Sequence, residues 1–521
     1  MHSHTRNALN EPVARRIQQN PSMTKLEQLK ESLAVVSDLN GAASVLGWDQ
    51  QTYMPPGGAA ARAEQLATVG RLAHEALISD EIGELLEGAS AESTSSPSDS
   101  DESCLLRVVR RDYEKARKVP PALVAEIARA TSLGMEVWVQ ARKESNFALF
   151  QPALQRILDL QRDLARCLGF DESPYDALLD QYEPGMKKSE LVRIFSELKA
   201  GLVPLVQSIS ERLDRVDDGV LRRTCSEAAQ REFGLEAARR LGYDFERGRQ
   251  DKSVHPFTTS FSVNDVRITT RVDEQFLPTA LFGTLHECGH ALYEQGISQN
   301  LERSPLASGA SLGVHESQSR LWENLVGRSR SFWKFFFPHL QQAFPQNLQH
   351  VSLESFYRSI NRVEPSLIRV EADEVTYNLH ILLRFELEGD LLEGRLALAD
   401  LPEAWNASMK ALLGVVPPDD AQGVLQDVHW SNGLIGYFPT YSLGNLLSVQ
   451  LFEKAGLAIP SLTAQIERGN FQSLLDWLRK NIHQHGRKFL PSQLIQRATG
   501  EPLRAVPYLR YLREKYTEIY L

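Results

Sequence analysis

The stretch TLHECGHALYEQG, residues 284–296, lies inside a segment with the signals of one well-bounded helix. Pro278 is well placed as the first helical residue, because an N–H group there would have no partner, and Gly296 favours a stop. An apolar stripe at helical spacing is expected to face the core, formed by Leu281, Leu285, Cys288 and Leu292. Gly283 and Gly289 each cost about 1 kcal/mol relative to alanine in a helix, so we expect another element to approach closely there.

The predicted helix carries the pattern His-Glu-x-x-His. His286 and His290 are four residues apart, so both imidazoles lie on one face and can converge on one ion. Zinc in catalytic sites takes three protein ligands and a water molecule, and Glu287 is placed to serve that water as a general base. Such a metal lowers the pKa of water and polarises a carbonyl, which predicts amide hydrolysis. The alternative, two structural histidines, is the weaker interpretation for a helix with these end signals.

The third ligand must come from elsewhere in the chain. The pattern HExxHxxGxxH fails, because Tyr293 and Gly296 occupy its glycine and histidine positions. A downstream glutamate is the natural choice, and Glu316 is far enough away for a loop to turn and a second helix to face the first. Glu294 competes on spacing alone. We expect Glu294 and Glu323 to be solvated or to support the ligands.

Composition limits the class of protein. The chain has 521 residues, of which 42% are hydrophobic and 24% charged, and its net charge is −10. No dense Lys/Arg run indicates nucleic-acid binding. The four cysteines are scattered, which favours free thiols in a reducing compartment. No apolar run suits a signal peptide or a membrane span, so we expect a soluble cytoplasmic protein.

Most of the chain alternates helical periodicity with short Gly/Pro breaks, which predicts a mostly α fold. We expect residues 1–22 to form a mobile extension and residues 23–521 a single catalytic domain. The Ser-rich, acidic segment 87–103 is expected to be a flexible loop. Residues 255–276 alternate apolar and polar side chains around an Asn-Asp turn, which predicts a two-stranded hairpin beside the HExxH helix. This hairpin is the element expected near the helix glycines, and its edge could bind an extended peptide.

Six motifs in order give the chain a resemblance to a known family. They are HPF at 255–257, DVRIT at 265–269, HECGH at 286–290, HESQ at 315–318, IRVEAD at 368–373 and GVLQDVHW at 423–430. The chain resembles the thermostable metallocarboxypeptidases of the carboxypeptidase Taq type, from about Met23 to the C-terminus. The N-terminal extension departs from that family.

The resemblance implies a largely helical peptidase with a deep substrate cleft, a homodimer, and removal of C-terminal amino acids with broad specificity. It implies His286, His290 and Glu316 as metal ligands and Glu287 as the catalytic acid/base. The implied metal is Zn²⁺, with Co²⁺ as a substitute. The alternative is a dipeptidyl carboxypeptidase or an oligopeptidase on the same zinc scaffold.

An exopeptidase of this kind must also hold the substrate carboxylate and stabilise an oxyanion. Arginine binds carboxylates through two parallel hydrogen bonds, so Arg369 is the first candidate and Arg267 the second. The alternative for Arg369 is an ion pair with Asp373 on a solvated helix face. His429 and Tyr437 lie in a predicted loop and are candidate oxyanion donors, with a packing role as the alternative.

Overall fold

The computed structural model describes residues 23–521 and consists mainly of α-helices. The predicted extension over residues 1–22 lies outside the described residues. The described residues divide into two compact units: 23–117 together with 299–307, and 118–298 together with 308–521. The prediction of a single catalytic domain stays a prediction. None of the helices in residues 23–521 combines the length and apolar character that a membrane span requires.

The first unit is built on four helices in its described residues. They are α1 (Lys25–Thr52), α2 (Ala59–Leu77), α3 (Asp80–Glu92) and α4 (Asp101–Lys118). A capping box fixes the start of α1, because the Thr24 side chain accepts from the Glu27 N–H and the Glu27 carboxylate accepts from the Thr24 N–H.

The Ser-rich connection is shorter than the predicted loop over 87–103. Helix α3 continues to Glu92, and α4 begins at Asp101, so residues 93–100 form the connection. Buried Leu86 and Ala89 extend α3 into the polar segment. The Ser103 N–H donates to the Ser100 hydroxyl at the start of α4. Composition alone could not separate loop residues from the solvated faces of these two helices.

The second unit holds the remaining helices of the described chain. They are α5 (Pro121–Glu144), α6 (Phe147–Leu168), α7 (Pro174–Leu179), α8 (Lys188–Ser210), α9 (Glu227–Leu241), α10 (Pro278–Gly296), α11 (Leu312–Arg320), α12 (Arg330–Ala343), α13 (Pro345–Leu348), α14 (Leu353–Ile360), α15 (Tyr377–Leu392), α16 (Leu401–Leu413), α17 (Pro439–Ala458), α18 (Leu462–Ile466), α19 (Gln472–Asn481), α20 (Pro491–Thr499) and α21 (Val506–Tyr520). A π-helical segment, Leu321–Val326, continues α11 directly.

A small sheet precedes α10. Its strands are β1 (Gln250–Lys252), β2 (Thr258–Ser262) and β3 (Asp265–Thr270), in the order β1-β3-β2. The predicted hairpin is confirmed, because β2 and β3 pair antiparallel with Thr258 opposite Ile268. Strand β1 pairs parallel to β3 and was not predicted, since three residues carry too little periodicity.

The HExxH helix has the predicted bounds, Pro278–Gly296, and its apolar stripe is buried. The sequence analysis expected the hairpin to approach the glycines of this helix, and for Gly289 that expectation was wrong. A Cβ there would lie 2.6 Å from the Gln318 carbonyl oxygen, so α11 approaches this glycine, not the hairpin. At Gly283 the nearest atom, on Pro256, would be 3.9 Å away, which is ordinary contact. Gly289 therefore lets α10 and α11 touch, which brings their polar side chains together.

Candidate metal centre

Helices α10 and α11 bring together three side chains that suit a metal ion. Nε2 of His286 lies 3.6 Å from Oε2 of Glu316, and Nε2 of His290 lies 3.4 Å from the same oxygen. One ligand atom from each residue lies within 4.8 Å of the others. Glu316 is buried, while both histidines are partly exposed. The residues predicted as metal ligands are thus neighbours in space.

The start of α11, which carries Glu316, is fixed by hydrogen bonds to a buried carboxylate. The Ser311 hydroxyl caps the helix by accepting from the Val314 N–H at 3.0 Å. Glu183 accepts from the Ser311 hydroxyl at 3.0 Å and from the Gly313 N–H at 3.1 Å. Burial raises the pKa of Glu183 to about 7. This anchor holds α11 in place opposite α10.

The outer ring nitrogens of both histidines are already engaged. Nδ1 of His286 lies 2.9 Å from Oε2 of Glu323, and Nδ1 of His290 lies 2.6 Å from Nδ1 of His315. Both Nε2 atoms are therefore left to face Glu316. Two ligand atoms about 2 Å from one ion, at a tetrahedral angle, lie roughly 3.3 Å apart. The donor atoms and their spacing fit a tetrahedral ion.

The two competing glutamates of the sequence have other partners. Glu323 is buried and its Oε2 contacts Nδ1 of His286, so the expectation that it is solvated was wrong. Oε1 of Glu294 lies 2.7 Å from Nε2 of His315, so Glu294 also supports the group from behind.

Arg320 forms ion pairs with the carboxylates of Glu316 and Glu323. The sequence analysis gave this arginine no role. Its Nε donates to Oε1 of Glu316 at 2.7 Å, and its Nη1 donates to Oε2 of Glu323 at 3.0 Å. Burial favours the neutral acid, but Arg320 together with His286 and His290 holds the pKa of Glu316 well below its usual range. In the sequence, the i,i+4 spacing of Glu316 and Arg320 was the signal that could have predicted this ion pair.

Glu287 is buried beside the candidate ligands and is held by the sheet. The Thr258 hydroxyl, on β2, donates to Oε2 of Glu287 at 2.6 Å and to its backbone oxygen at 3.0 Å. Burial is the main cause that raises the pKa of Glu287, while His286 and the Thr258 hydrogen bond oppose it. A carboxylate with a raised pKa accepts and returns a proton more readily near neutral pH.

Arg369 is buried, so its alternative as a solvated helix residue was wrong. It lies in a 3₁₀ turn, Arg369–Glu371, and pairs with Asp427 rather than Asp373. Its Nη1 donates to the Tyr377 hydroxyl at 2.9 Å. Arg320 lies 4.7 Å above the Tyr377 ring, so this tyrosine connects the arginine pair to the metal-binding group.

Arg267 lies on β3 and is half-buried. Its guanidinium donates to both oxygens of Asp265, at 2.9 and 2.8 Å, and stacks 4.7 Å from the Phe261 ring centre. Asp265 therefore holds the Arg267 guanidinium through both of its carboxylate oxygens.

The structure brings His429 and Tyr437 together. Their ring centres are 5.4 Å apart, and Nε2 of His429 lies 3.3 Å from the hydroxyl of Tyr441, which was missed in the sequence. Burial is the main cause that raises the pKa of Tyr437, and the charge of Glu316 adds to it. Tyr441 is on α17, where Gly444 allows close contact with Glu316. The aromatic group is thus within electrostatic range of the candidate ligands.

A two-histidine, one-glutamate group beside a buried glutamate, in a mostly helical fold, defines a candidate metal-dependent hydrolase. The chain belongs to the carboxypeptidase Taq (M32) metallopeptidase family, whose sequence pattern matches residues 28–516. Membership of this family implies a divalent metal ion, and the His286, His290 and Glu316 side chains are a fitting set of donors.

Named relatives cover nearly the whole chain. Thermostable carboxypeptidase 1 of Thermus thermophilus is 46% identical over 504 residues, covering 95% of this chain and 98% of its own. Carboxypeptidase 1 of Bacillus subtilis is 38% identical over 486 residues, covering 93% and 97%. The crystal structure of an M32 carboxypeptidase from Deinococcus radiodurans superimposes with a TM-score of 0.92 at 43% identity, covering 95% and 99%. The resemblance to this family is therefore confirmed.

Proposed function

We propose that the protein is a zinc-dependent metallocarboxypeptidase that releases single amino acids from the free C-terminus of peptides, with broad specificity. The observation that carries the proposal is the group formed by His286, His290 and Glu316, with Glu287 buried beside it. The relatives named as carboxypeptidases support the same reaction.

Zinc suits this donor set, because two imidazole nitrogens and one carboxylate oxygen are frequent ligands of catalytic zinc. Cobalt(II) is proposed as a substitute. When bound, zinc supplies a Lewis acid that makes water a better nucleophile near neutral pH and polarises the scissile carbonyl.

Glu287 is proposed to move the proton. Its Oε2 is held by Thr258, and Oε1 receives no hydrogen bond from the described part of the chain. The carboxylate takes a proton from the attacking water and passes it to the nitrogen of the leaving amino acid. The fixed side chain is ready for both transfers without reorganisation.

Arg369 is proposed to bind the substrate carboxylate, with Arg267 as the second candidate. Asp427 and Tyr377 hold the Arg369 guanidinium by three hydrogen bonds, which use three of its five N–H groups. His429 and Tyr437 are proposed to donate hydrogen bonds to the oxyanion, supported by their mutual contact and by the effect of Glu316 on Tyr437.

A homodimer and a cytoplasmic location belong to the same proposal. The family resemblance supports the dimer. The scattered cysteines, all four of which are free thiols in the structure, support a reducing compartment.

The test is a mass-spectrometric time course on one peptide in two forms, with a free and with an amidated C-terminus. We expect the free peptide to lose one residue at a time, the amidated peptide to resist, and a chelator to stop the reaction. Glu287→Gln should lower kcat by about a hundred- to ten-thousandfold, since it removes the general base. Glu386→Gln is the matched control, because Glu386 is exposed and pairs with Lys199.

Other products would point to other enzymes. Release of dipeptides would indicate a dipeptidyl carboxypeptidase, and internal fragments would indicate an oligopeptidase. Equal cleavage of the free and amidated peptides would contradict the carboxypeptidase proposal.

A further inference from the structure

Behind His290, three side chains form a continuous chain of hydrogen bonds. The Nδ1 atoms of His290 and His315 are 2.6 Å apart, and Nε2 of His315 lies 2.7 Å from Oε1 of Glu294. Glu294 is buried, and an ionised carboxylate in such a position needs a hydrogen-bond donor. His315 is the residue that can donate to it.

The contact between two Nδ1 atoms requires that one of them, and not both, carries hydrogen. In the first arrangement, His290 carries its hydrogen on Nδ1. Its Nε2 is then bare and faces Glu316, while His315 has its hydrogen on Nε2 and donates to Glu294. Every N–H group in this arrangement meets an acceptor.

The second arrangement places the hydrogen of His315 on Nδ1. Its bare Nε2 would then face the Glu294 carboxylate oxygen at 2.7 Å, and two acceptors at that distance repel each other. His290 would carry hydrogen on Nε2, the atom that a metal ion needs bare. Without a metal ion, each arrangement leaves one pair of acceptors facing each other: Nε2 of His290 with Glu316 at 3.4 Å in the first, and Nε2 of His315 with Glu294 in the second. Only the first arrangement leaves Nε2 of His290 free to bind a metal ion, and in it His315 and Glu294 take up the hydrogen on Nδ1.

We propose that Glu294 and His315 are positioning residues, which accept the Nδ1 hydrogen of His290 through a chain of hydrogen bonds and so support the tautomer whose Nε2 is bare and can bind a metal ion. The inference deepens the proposed function and rests on it for the role of His290 as a ligand. Hydrogen-bonded partners of this kind orient ligand histidines and raise metal affinity.

The packing around His315 fits this role. Its ring lies 4.7 Å from the His290 ring and 5.1 Å from the Tyr293 ring. The Tyr293 hydroxyl accepts from the Ala310 N–H at 3.0 Å, which fixes that side of the pocket. A Cβ at Gly309 would lie 2.7 Å from Cδ2 of His315, so glycine at this position leaves room for the ring.

Glu294→Gln tests the proposal, because the glutamine amide can present either oxygen or NH₂ to His315 and no longer selects one tautomer. The measurement is the Kd for Zn²⁺ of the full chain, by competition with a chromophoric chelator. We expect Glu294→Gln to weaken zinc binding by about 10- to 100-fold. Glu236→Gln is the matched control, since Glu236 pairs with His339 on the surface at 3.0 Å, and it should leave the Kd unchanged.

Two variants of His315 separate the hydrogen bond from packing. His315→Asn keeps an acceptor near the position of Nδ1, whereas His315→Leu removes it and keeps an apolar side chain of similar bulk. We expect the asparagine variant to bind zinc more tightly than the leucine variant. Equal losses in the two variants would show a packing role and overturn the proposal.

The tautomer itself is visible in nitrogen-15 NMR of histidine-labelled, zinc-loaded protein. We expect hydrogen on Nε2 of His315 in the wild type, because its Nδ1 accepts from Nδ1 of His290. Hydrogen on Nδ1 of wild-type His315, or a Kd for Glu294→Gln within twofold of wild type, would overturn the inference alone. A wild-type protein that binds no zinc would overturn the proposed function as well.

Discussion

Arg369 and Asp427 form a largely buried ion pair, in which Nε at 3.1 Å and Nη2 at 2.8 Å donate to the same carboxylate oxygen. The other oxygen of Asp427 accepts from Nε of Arg384 at 2.6 Å. One carboxylate therefore holds two buried guanidinium groups. It also joins the turn before α15 to the loop before α17, which carries His429.

Asp427→Asn should destabilise the protein, because it leaves two buried arginines without their shared negative charge. Breaking a buried ion pair costs about 3–5 kcal/mol, so we expect the free energy of unfolding to fall by that amount in urea denaturation. Asp265→Asn is the control, since it removes the half-exposed partner of Arg267. We expect a loss of about 1 kcal/mol or less there. Equal losses would contradict the interpretation of the Asp427 pair.

Arg369→Lys should weaken binding of the substrate carboxylate, because lysine cannot offer two parallel hydrogen bonds. We expect KM for a free-carboxylate peptide to rise by about tenfold or more, with a smaller change in kcat. The parallel variant Arg267→Lys should change KM less. If Arg267→Lys has the larger effect on KM, the assignment of the two arginines is reversed.

Gly444→Ala should disturb the metal centre, because a Cβ at this position of α17 would lie 2.5 Å from Cγ of Glu316. We expect a loss of stability of about 1–3 kcal/mol from overpacking and weaker zinc binding. Gly456→Ala on the same helix is the control, since a Cβ there meets nothing within 4 Å. It should keep zinc affinity and stabilise the protein by about 0.4–1 kcal/mol. A neutral Gly444→Ala would refute the close contact.

The stability of the protein should depend on pH through Glu388. Burial is the main cause that raises its pKa from 4.5 to about 7, although Trp430, Gly436 and Tyr175 donate hydrogen bonds to it. The folded protein therefore binds this proton more tightly than the unfolded chain does. The contribution of Glu388 to stability is greatest below about pH 4.5 and is lost as the pH rises through about 7.

The test is urea denaturation of wild type and Glu388→Gln at pH 4.5 and 7.5. We expect wild type to lose about 3 kcal/mol relative to the variant between these two pH values. Glu386→Gln, exposed on the same helix, should follow the wild-type slope. Parallel slopes for wild type and Glu388→Gln would contradict the raised pKa.

The parts of the fold that the sequence predicted well are those determined by local patterns. The bounds of α10 follow from Pro278, Gly296 and one apolar stripe, and the β2–β3 hairpin follows from alternation around a turn. The pairing of β1 could not be predicted, because it depends on a parallel contact with β3. The length of α3 depends on burial of Leu86 and Ala89 against other elements, which composition does not show.

The residues of the candidate site also divide into those that local sequence patterns predict and those that only the fold brings together. His286 and His290 follow from helical spacing, and Glu316 was favoured among several glutamates because a loop and a second helix fit between it and His290. The family resemblance then pointed to the same residue. The Arg369–Asp427 pair and the contact of Glu294 with His315 join residues that are distant in sequence, so only the folded chain shows them. The i,i+4 spacing of Glu316 and Arg320 could have predicted their ion pair. The pair suggests a role for Arg320 only once Glu316 is identified as a candidate metal ligand.

The most direct test of the account is anomalous diffraction from crystals of the zinc-loaded protein, recorded above and below the zinc absorption edge. The account predicts one strong anomalous peak bonded to Nε2 of His286, Nε2 of His290 and a carboxylate oxygen of Glu316. A zinc peak bonded to Glu294 or Glu323 in place of Glu316, or no peak between α10 and α11, would contradict it.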